Sequence, residues 1–330
     1  TREYEMRDSS GYSVPHTGKD LYMIYSLDAR NKLKAKRIET YIQDTYKFSS
    51  GENFFTLNYG VRFSHWDFNK ESIFSPRLSL GLVPAFNDNV TFRFATGLYY
   101  QAPFFKELRD TMTVDGVTYA KLNEKVKSQR SIHFITGVDY RFKMMNRPFK
   151  FSAEAYFKLL GNLVPYSVNN VKVVYDASQQ CSGNAMGIDL KLFGEFVEGS
   201  DSWITLSVMN TRMKLNGQSI PLPTDHRFAL NLFFTDYFPG TDKWKMALKL
   251  AYADGLPFGA PHRRLDVMPF RAAAYKRADI GMSYRAFDNE KRQKKSIFRN
   301  IWIGIDCLNL FGINNVNSYY WITDVTNQQF

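Results

Sequence analysis

The feature of this sequence that most restricts its fold is an alternation of apolar and polar side chains with a period of two. Successive side chains of a β-strand point to opposite faces of a sheet, so this period predicts strands with one apolar and one polar face. One example has apolar residues at Phe55, Leu57, Tyr59, Val61 and Phe63, with Thr56, Asn58, Gly60 and Arg62 between them. The pattern recurs along the whole chain and predicts an all-β fold.

Twelve segments carry this alternation. Most are near the length that a tilted membrane-spanning strand needs, about 9 to 11 residues, and several are longer, as expected for strands that extend above the bilayer. They are residues 33–48, 54–66, 76–84, 90–100, 130–142, 149–163, 184–197, 203–214, 226–237, 244–254, 273–286 and 297–310.

The links between these segments alternate between short and long. Short, turn-rich links are interleaved with long links, and outer-membrane barrels have short periplasmic turns and longer extracellular loops. The short links are residues 49–53, 86–89, 145–148, 198–201 and 239–242; the long ones are residues 100–129, 164–183 and 255–272. This asymmetry predicts which strand ends face outside. Residues 287–296 break the rule, because they are long for a periplasmic turn.

Composition supports a membrane barrel. Aromatic residues make up 16% of the chain, yet the mean hydropathy is -0.36. A transmembrane barrel combines lipid-facing apolar residues, lumen-facing polar ones and aromatic girdles, which explains both values. A soluble antiparallel sandwich also alternates, but we expect it to have fewer large aromatics and more turn residues. We therefore predict a transmembrane antiparallel up-and-down β-barrel over residues 1–330.

The net charge of +11 suits either nucleic acid or anionic lipid. Basic runs occur at residues 34–37 and 291–295. The first lies at a predicted extracellular strand end, where lipopolysaccharide would lie, and the second is interpreted as a solvated turn. Nucleic acid binding would need basic groups interleaved with exposed aromatics in one groove, and no nucleic acid partner is predicted.

Motifs for catalysis, nucleotide binding and metal binding are absent from the sequence. The five histidines are scattered, and Cys181 and Cys307 lie far apart. We predict no catalytic residue, no metal site and no cofactor. The polar register is interpreted mainly as a solvated lumen wall, with plug or ligand contact as the alternative; it includes Arg62, Arg77, Arg93, Asp139, Arg141, Glu154, Lys158, Asp189, Lys191, Lys249, Asp279 and Asp306.

Candidate ligand contacts lie in two of the long links, because loops on a rigid scaffold usually carry recognition. Aromatic rings beside amides and charges suit stacking and hydrogen bonding of a polar ligand. The candidates are Tyr99, Gln101, Phe104, Phe105, Glu107, Arg109 and Tyr166. The alternative for Phe104 and Phe105 is that they pack the loop onto the barrel rim, and Tyr166 and Tyr175 have the same two interpretations.

Several segments, in their order along the chain, resemble TonB-dependent outer-membrane receptors. The resemblance covers roughly residues 30–315. The segments are Tyr-Ile-Gln-Asp-Thr at residues 41–45, Ser-Pro-Arg-Leu-Ser-Leu at 75–80, Thr-Phe-Arg-Phe-Ala-Thr-Gly-Leu-Tyr-Tyr-Gln-Ala-Pro at 91–103, Gly-Leu-Pro-Phe-Gly at 255–259, Arg-Ala-Asp-Ile-Gly at 277–281 and Asp-Cys-Leu-Asn-Leu-Phe at 306–311.

This resemblance implies a barrel of about 22 strands, of which this chain would supply about twelve. The plug domain would precede Thr1 and the closing strand would follow Phe330. It implies a multi-pass protein of the cell outer membrane that binds a scarce nutrient outside and imports it actively. The nutrient is open among siderophores, cobalamin, oligosaccharides and peptides. The implied partners are the plug domain, a TonB-type energy-coupling protein, outer-membrane lipid and lipopolysaccharide, with a surface lipoprotein as a further candidate.

Two other functions remain open at this stage. One is an outer-membrane lipase or protease built on a barrel of about twelve strands, which would need Ser, His and an acidic residue at one rim. The other is a passive porin, which would have no plug domain.

Overall fold

The computed structural model describes residues 2–15, 21–114, 117–169, 172–259, 270–288, 298–317 and 319. Its strands are β1 (Arg2–Pro15), β2 (Leu21–Ala35), β3 (Arg37–Ser50), β4 (Asn53–Trp66), β5 (Glu71–Val83), β6 (Val90–Gln101), β7 (Arg109–Val114), β8 (Val117–Leu122), β9 (Gln129–Met144), β10 (Arg147–Leu163), β11 (Tyr166–Asn169), β12 (Lys172–Tyr175), β13 (Cys181–Val197), β14 (Ser200–Leu215), β15 (Gln218–Pro221), β16 (Phe228–Tyr237), β17 (Trp244–Ala253), β18 (Pro257–Phe258), β19 (Phe270–Arg271), β20 (Tyr275–Asp288) and β21 (Asn300–Cys307).

Twelve long strands form one antiparallel sheet in which each strand pairs with the next long strand along the chain. The order is β21-β20-β17-β16-β14-β13-β10-β9-β6-β5-β4-β3, and the short β15 also pairs with β14. This is the up-and-down connectivity expected from the alternation. All twelve predicted segments are strands of this sheet, so the predicted fold class is confirmed.

Two predicted strand starts differ from the structure by four residues or more. The first segment was expected from residue 33, but Leu33 and Ala35 belong to β2, and β3 begins at Arg37. The third was expected from residue 76, but β5 begins at Glu71, which pairs with Trp66. Hydrogen bonding to β4 extends β5 beyond the residues that alternate clearly. The sequence of one strand does not show which residues of a neighbouring strand it will pair with.

The long links contain structure that the sequence did not predict. The hairpin of β7 and β8 lies between β6 and β9, the hairpin of β11 and β12 lies between β10 and β13, and β18 pairs with β19 between β17 and β20. Within the described residues the helical structure is a single 3-10 turn, Phe105–Leu108, and no helix is long and apolar enough to cross a membrane. The basic run at residues 291–295 lies outside the described residues.

Cross-strand pairing places the predicted polar register on one face of the sheet. Arg77 pairs with Gly97, Gly97 with His133, and His133 with Lys158, so these residues of four neighbouring strands share a face. On the opposite face, large apolar side chains are exposed: Phe92 by 43%, Phe94 by 44% and Leu250 by 39%. A sandwich would bury these side chains against a second sheet, so their exposure argues for a lipid-facing wall.

Gly60 permits close packing between the first two strands of the sheet. A Cβ atom at Gly60 would lie 2.7 Å from the carbonyl oxygen of Ile42 and 2.8 Å from the Cβ atom of Gln43. At Gly81, one strand further, a Cβ atom would have no neighbour closer than 3.9 Å. The two glycines lie on the same face but leave different amounts of space.

We predict that Gly60→Ala destabilises the folded protein by about 1–3 kcal/mol, because the clash is with backbone that must move. Gly81→Ala is the matched control and should be neutral, or stabilising by up to ~1 kcal/mol, since alanine restricts the unfolded chain more than glycine does. The measurement is the urea midpoint of unfolding in lipid vesicles. Equal midpoints for the two variants would contradict the prediction.

Candidate functional site

A pocket of about 810 Å³ lies beside β3, β4 and β6, at the end of the sheet where β6 continues into the long connection to β9. We call it the mouth pocket. It is lined by Leu33, Ala35, Arg37, Glu39, Trp66, Tyr100, Gln101, Ala102, Pro103, Phe104 and Phe105. Three of the predicted ligand contacts, Gln101, Phe104 and Phe105, therefore line a single pocket.

The charged wall of the mouth pocket comes from β3 and β4. Arg37 pairs with Trp66 across the two strands, and its guanidinium carbon lies 5.1 Å from the centre of the Trp66 ring. Glu39 pairs with Ser64, whose hydroxyl donates to the Glu39 carboxylate at 3.5 Å. These residues share a face with Arg62, so the wall belongs to the lumen side of the sheet.

Sequence reasoning missed Arg37, Glu39 and Trp66 as site residues. It placed Arg37 in a basic run at a strand end where lipopolysaccharide would lie; in the structure Arg37 lies over the Trp66 ring, on the lumen face of that strand. The β3–β4 pairing register would have identified these three residues as neighbours on one face.

The two phenylalanines of the 102–105 segment have different environments. Phe104 is 61% exposed, whereas Phe105 packs against a buried apolar cluster. The members of this cluster come from β2, the end of β4 and two long connections: Leu33, Ala35, Trp66, Leu108, Val126, Val164 and Ala177. Phe105 therefore packs onto the rim, which was the alternative considered for both residues. Phe104 is exposed and accessible to a ligand.

Glu107 fastens the loop above the barrel rather than facing solvent. Only 5% of Glu107 is exposed, and the neighbouring Leu108 is fully buried. The backbone N–H of Phe104 donates to Glu107 Oε2 at 2.8 Å, and Gln129 Nε2 donates to Glu107 Oε1 at 2.9 Å. Burial raises the pKa of the Glu107 carboxyl, and these two hydrogen bonds offset only part of that effect.

Tyr166 and Arg109 do not line the mouth pocket. Tyr166 begins β11, and its ring centre lies 5.5 Å from that of Tyr175. Burial raises the pKa of both tyrosines, and the nearby charge of Glu107 raises it further. Arg109 begins β7 and pairs with Leu122.

Amide side chains join the two long connections that surround this region. Asn123 Nδ2 donates to the carbonyl of Ala177 at 2.9 Å, and Gln180 Nε2 donates to the carbonyl of Lys127 at 2.9 Å. The Lys127 N–H donates in return to Gln180 Oε1 at 3.0 Å. Because these bonds are between loops, the connections hold one another in place over the mouth.

Tyr99 lies on the lumen wall below the mouth pocket. Its ring centre is 4.2 Å from that of His133, and the guanidinium carbon of Arg77 lies 4.4 Å from the Tyr99 ring centre. Tyr99, Arg77 and Arg62 line a polar cavity of about 570 Å³. In the described part of the chain, neither Arg62 nor Arg77 forms an ion pair.

Other lumen charges are paired with one another. Arg93 lies 3.2 Å from both Asp139 and Glu154, and Lys150 lies 3.3 Å from Asp139. These pairs fit the interpretation of the polar register as a solvated wall. Arg62 and Arg77 differ from them, because neither forms an ion pair with a described residue.

A third group of contacts holds the late connection between β17 and β20. Arg271 donates to the backbone carbonyls of Asp225 and Gly255 at 2.9 Å each, and forms ion pairs with the carboxylates of Asp225 and Asp254. His226 Nδ1 lies 2.7 Å from the carbonyl oxygen of Asp254. Arg271 therefore ties together three segments that are far apart in sequence.

A profile of the TonB-dependent receptor-like β-barrel matches residues 2–315. The chain belongs to this family. The proposed family resemblance is therefore confirmed, and with it the location in the cell outer membrane, the Gram-negative source and the multi-pass strand topology. A comparison with curated proteins finds no match.

Solved structures of receptors share the fold. A mutant of the ferric enterobactin receptor PfeA from Pseudomonas aeruginosa, in complex with enterobactin, has a TM-score of 0.61 at 17% identity over 86% of this chain and 40% of its own. The outer membrane transporter YddB from Escherichia coli has a TM-score of 0.60 at 12% identity over 95% and 46%. The siderophore receptor PirA from Acinetobacter baumannii has a TM-score of 0.59 at 14% identity over 84% and 46%. This chain thus spans less than half the length of each.

We predict that the packing of residues 102–108 weakens as pH rises. A raised carboxyl pKa means that the folded loop binds a proton on Glu107 more tightly than the unfolded loop does. Protonation therefore stabilises the folded loop fully below the ordinary glutamate pKa, and this stabilisation is lost as pH rises through the raised pKa of the folded loop. The measurement is hydrogen exchange of this segment between about pH 4 and about pH 7, corrected for intrinsic rates.

Glu107→Gln should abolish this dependence while keeping an acceptor for the Phe104 N–H. Glu124→Gln is the control, because Glu124 is exposed in the same connection. An unchanged pH dependence in Glu107→Gln would show that another group is responsible.

Proposed function

We propose that this chain forms much of the barrel wall and the extracellular loops of an active outer-membrane receptor that binds a scarce nutrient and imports it. The observation that carries the proposal is the mouth pocket, which combines aromatic rings, an amide and two opposite charges at the extracellular end of the lumen. Clefts of this size with a few placed polar groups are typical ligand sites. Family membership supports outer-membrane nutrient transport.

Active import requires two components that we propose by analogy with the family. A plug domain would fill the lumen, and a TonB-type protein would couple inner-membrane energy to the movement of that plug. The described sheet supports a larger barrel, because β3 and β21 each have one edge with no strand partner in the described part. In hydrocarbon such an edge leaves N–H and C=O groups unpaired at a cost of several kcal/mol each. Further strands would remove that cost.

We propose a polar nutrient with ring groups. Trp66 and Phe104 offer stacking surfaces, while Gln101, Arg37 and Glu39 offer hydrogen bonds and charges. Two of the similar receptors are named for siderophores, which makes siderophores the first class to test against cobalamin, oligosaccharides and peptides. Family membership argues against the lipase or protease alternative.

We predict that Phe104→Ala and Gln101→Ala each weaken nutrient binding by about tenfold in Kd, the effect of losing about 1.4 kcal/mol. Both side chains are exposed, so their removal should leave the loop packing intact. Phe86→Ala is the matched control, because Phe86 is also an exposed phenylalanine, at 78%, in a short turn at the opposite end.

The experiment measures binding and uptake of a panel of labelled nutrients by cells that express equal surface amounts of each variant. Uptake should stop when energy coupling is removed, although binding should persist. Uptake that continues without coupling would indicate a passive porin, and binding that is equal in all variants would exclude the mouth pocket.

A further inference from the structure

Glu71, the first residue of β5, holds the segment that leads into β9. Its Oε2 atom accepts hydrogen bonds from the backbone N–H of Ser128 at 2.9 Å, from the Ser128 hydroxyl at 2.5 Å and from Asn69 Nδ2 at 3.1 Å. Only 2% of Ser128 is exposed, so its N–H and hydroxyl have little access to water and depend on this carboxylate. Hydrogen bonds to a carboxylate are stronger than those between neutral groups. Glu71 therefore fixes the position of Ser128.

Other side chains hold the same segment at the ends of neighbouring strands. The Ser128 carbonyl accepts from Nδ2 of Asn162, on β10, at 3.1 Å. The Val126 carbonyl accepts from Asn69 Nδ2, in the turn before β5, at 3.1 Å. The N–H, the hydroxyl and the carbonyl of Ser128 are thus all bonded to side chains at strand ends. The start of β9 is fixed by the sheet as well as by contacts between loops.

Gln129, the next residue, joins this fixed point to the mouth pocket. It pairs with Gln101 at the end of β6, and its Nε2 atom donates to Glu107 Oε1 at 2.9 Å. The other carboxylate oxygen of Glu107 accepts the N–H of Phe104 at 2.8 Å. Gln101 and Phe104 both line the mouth pocket. A series of hydrogen bonds, interrupted by a single peptide bond, therefore runs from Glu71 to Phe104.

The backbone of Glu71 lies beside the opposite wall of the same pocket. Glu71 is the cross-strand partner of Trp66, the last residue of β4, and Trp66 lines the mouth pocket. Glu71 itself is not one of the lining residues. It thus connects the loop that carries Phe104 to the strand end that carries Trp66.

We propose that Glu71 is a positioning residue of the mouth pocket, which holds Phe104 at a fixed distance from Trp66. A loop that is already ordered in its bound conformation loses less entropy when a ligand binds, so the affinity is higher. Loss of the Glu71 side chain should therefore weaken binding although no ligand contact is removed. This effect on affinity rests on the proposed nutrient binding, whereas the effect on the loop does not.

The first test measures hydrogen exchange of residues 102–108 in the purified receptor, without nutrient and at one pH. Glu71→Ala should increase the exchange rate of this segment about tenfold, because it loses the hydrogen bonds that fix the start of β9. Gln129→Ala should cause a similar increase. The double variant should exceed either single variant by less than about twofold, because the two side chains belong to one series. Glu71→Gln keeps an acceptor oxygen and should retain most of the protection.

Asn53→Ala is the matched control for a lost hydrogen bond at a strand end. Asn53 begins β4 at the opposite end of the sheet, and its Oδ1 atom accepts the N–H of Ala85 at 2.9 Å. Its loss should change the exchange rate of residues 102–108 by less than about twofold. An unchanged exchange rate in Glu71→Ala would overturn the proposal. Additive effects of Glu71→Ala and Gln129→Ala would also overturn it.

The second test uses whichever labelled siderophore, cobalamin, oligosaccharide or peptide the wild-type receptor binds. Glu71→Ala should weaken its binding about fivefold in the wild-type background but less than about twofold in the Phe104→Ala background, because the positioning acts mainly through that ring. Equal weakening in both backgrounds would indicate a general loss of stability and would overturn the proposal. If the wild type binds none of these nutrients, the proposed nutrient binding fails, and the exchange measurements still decide whether Glu71 positions the loop.

Discussion

The rest of this structure depends on the need of every strand to satisfy its backbone hydrogen bonds inside the sheet. Hydrocarbon provides no partner for N–H and C=O groups, so each lipid-facing strand must pair along its whole length with its neighbours. Antiparallel pairing of consecutive strands meets this requirement with short turns at one end. The alternation of side chains then follows from the pleat, which turns one register to lipid and the other to the lumen.

This arrangement moves the compact apolar core out of the sheet and into the loops. The buried cluster around Leu108 joins β2, the end of β4 and two long connections, and Glu107 adds polar fastening to the same region. A wall that is fixed by its own hydrogen bonds can carry loops that pack on one another. The mouth pocket is therefore formed partly by rigid strand ends, at Arg37 and Trp66, and partly by a packed loop.

The charges of the wall fall into groups with different surroundings. On the lumen side, Arg93 is satisfied by Asp139 and Glu154, whereas Arg77 lies over an aromatic ring and forms no ion pair in the described chain. On the outer side, Arg130 is exposed in the register of Ile132 and Phe134. The formal charge of +11 alone did not distinguish these positions, because net charge carries no information about which face a residue occupies.

The sequence by itself determined the fold class, the twelve strands and the two registers, because a period of two is a local property of the chain and repeats in each strand. It also placed Gln101, Phe104 and Phe105 in one loop. Only the tertiary structure decided that Glu107 fastens this loop, that Tyr166 lies apart from the mouth pocket, and that Arg37 and Trp66 form its wall. These facts depend on which residues of distant strands and connections meet, and the alternation within a single strand does not encode the pairing between segments that lie far apart in the chain.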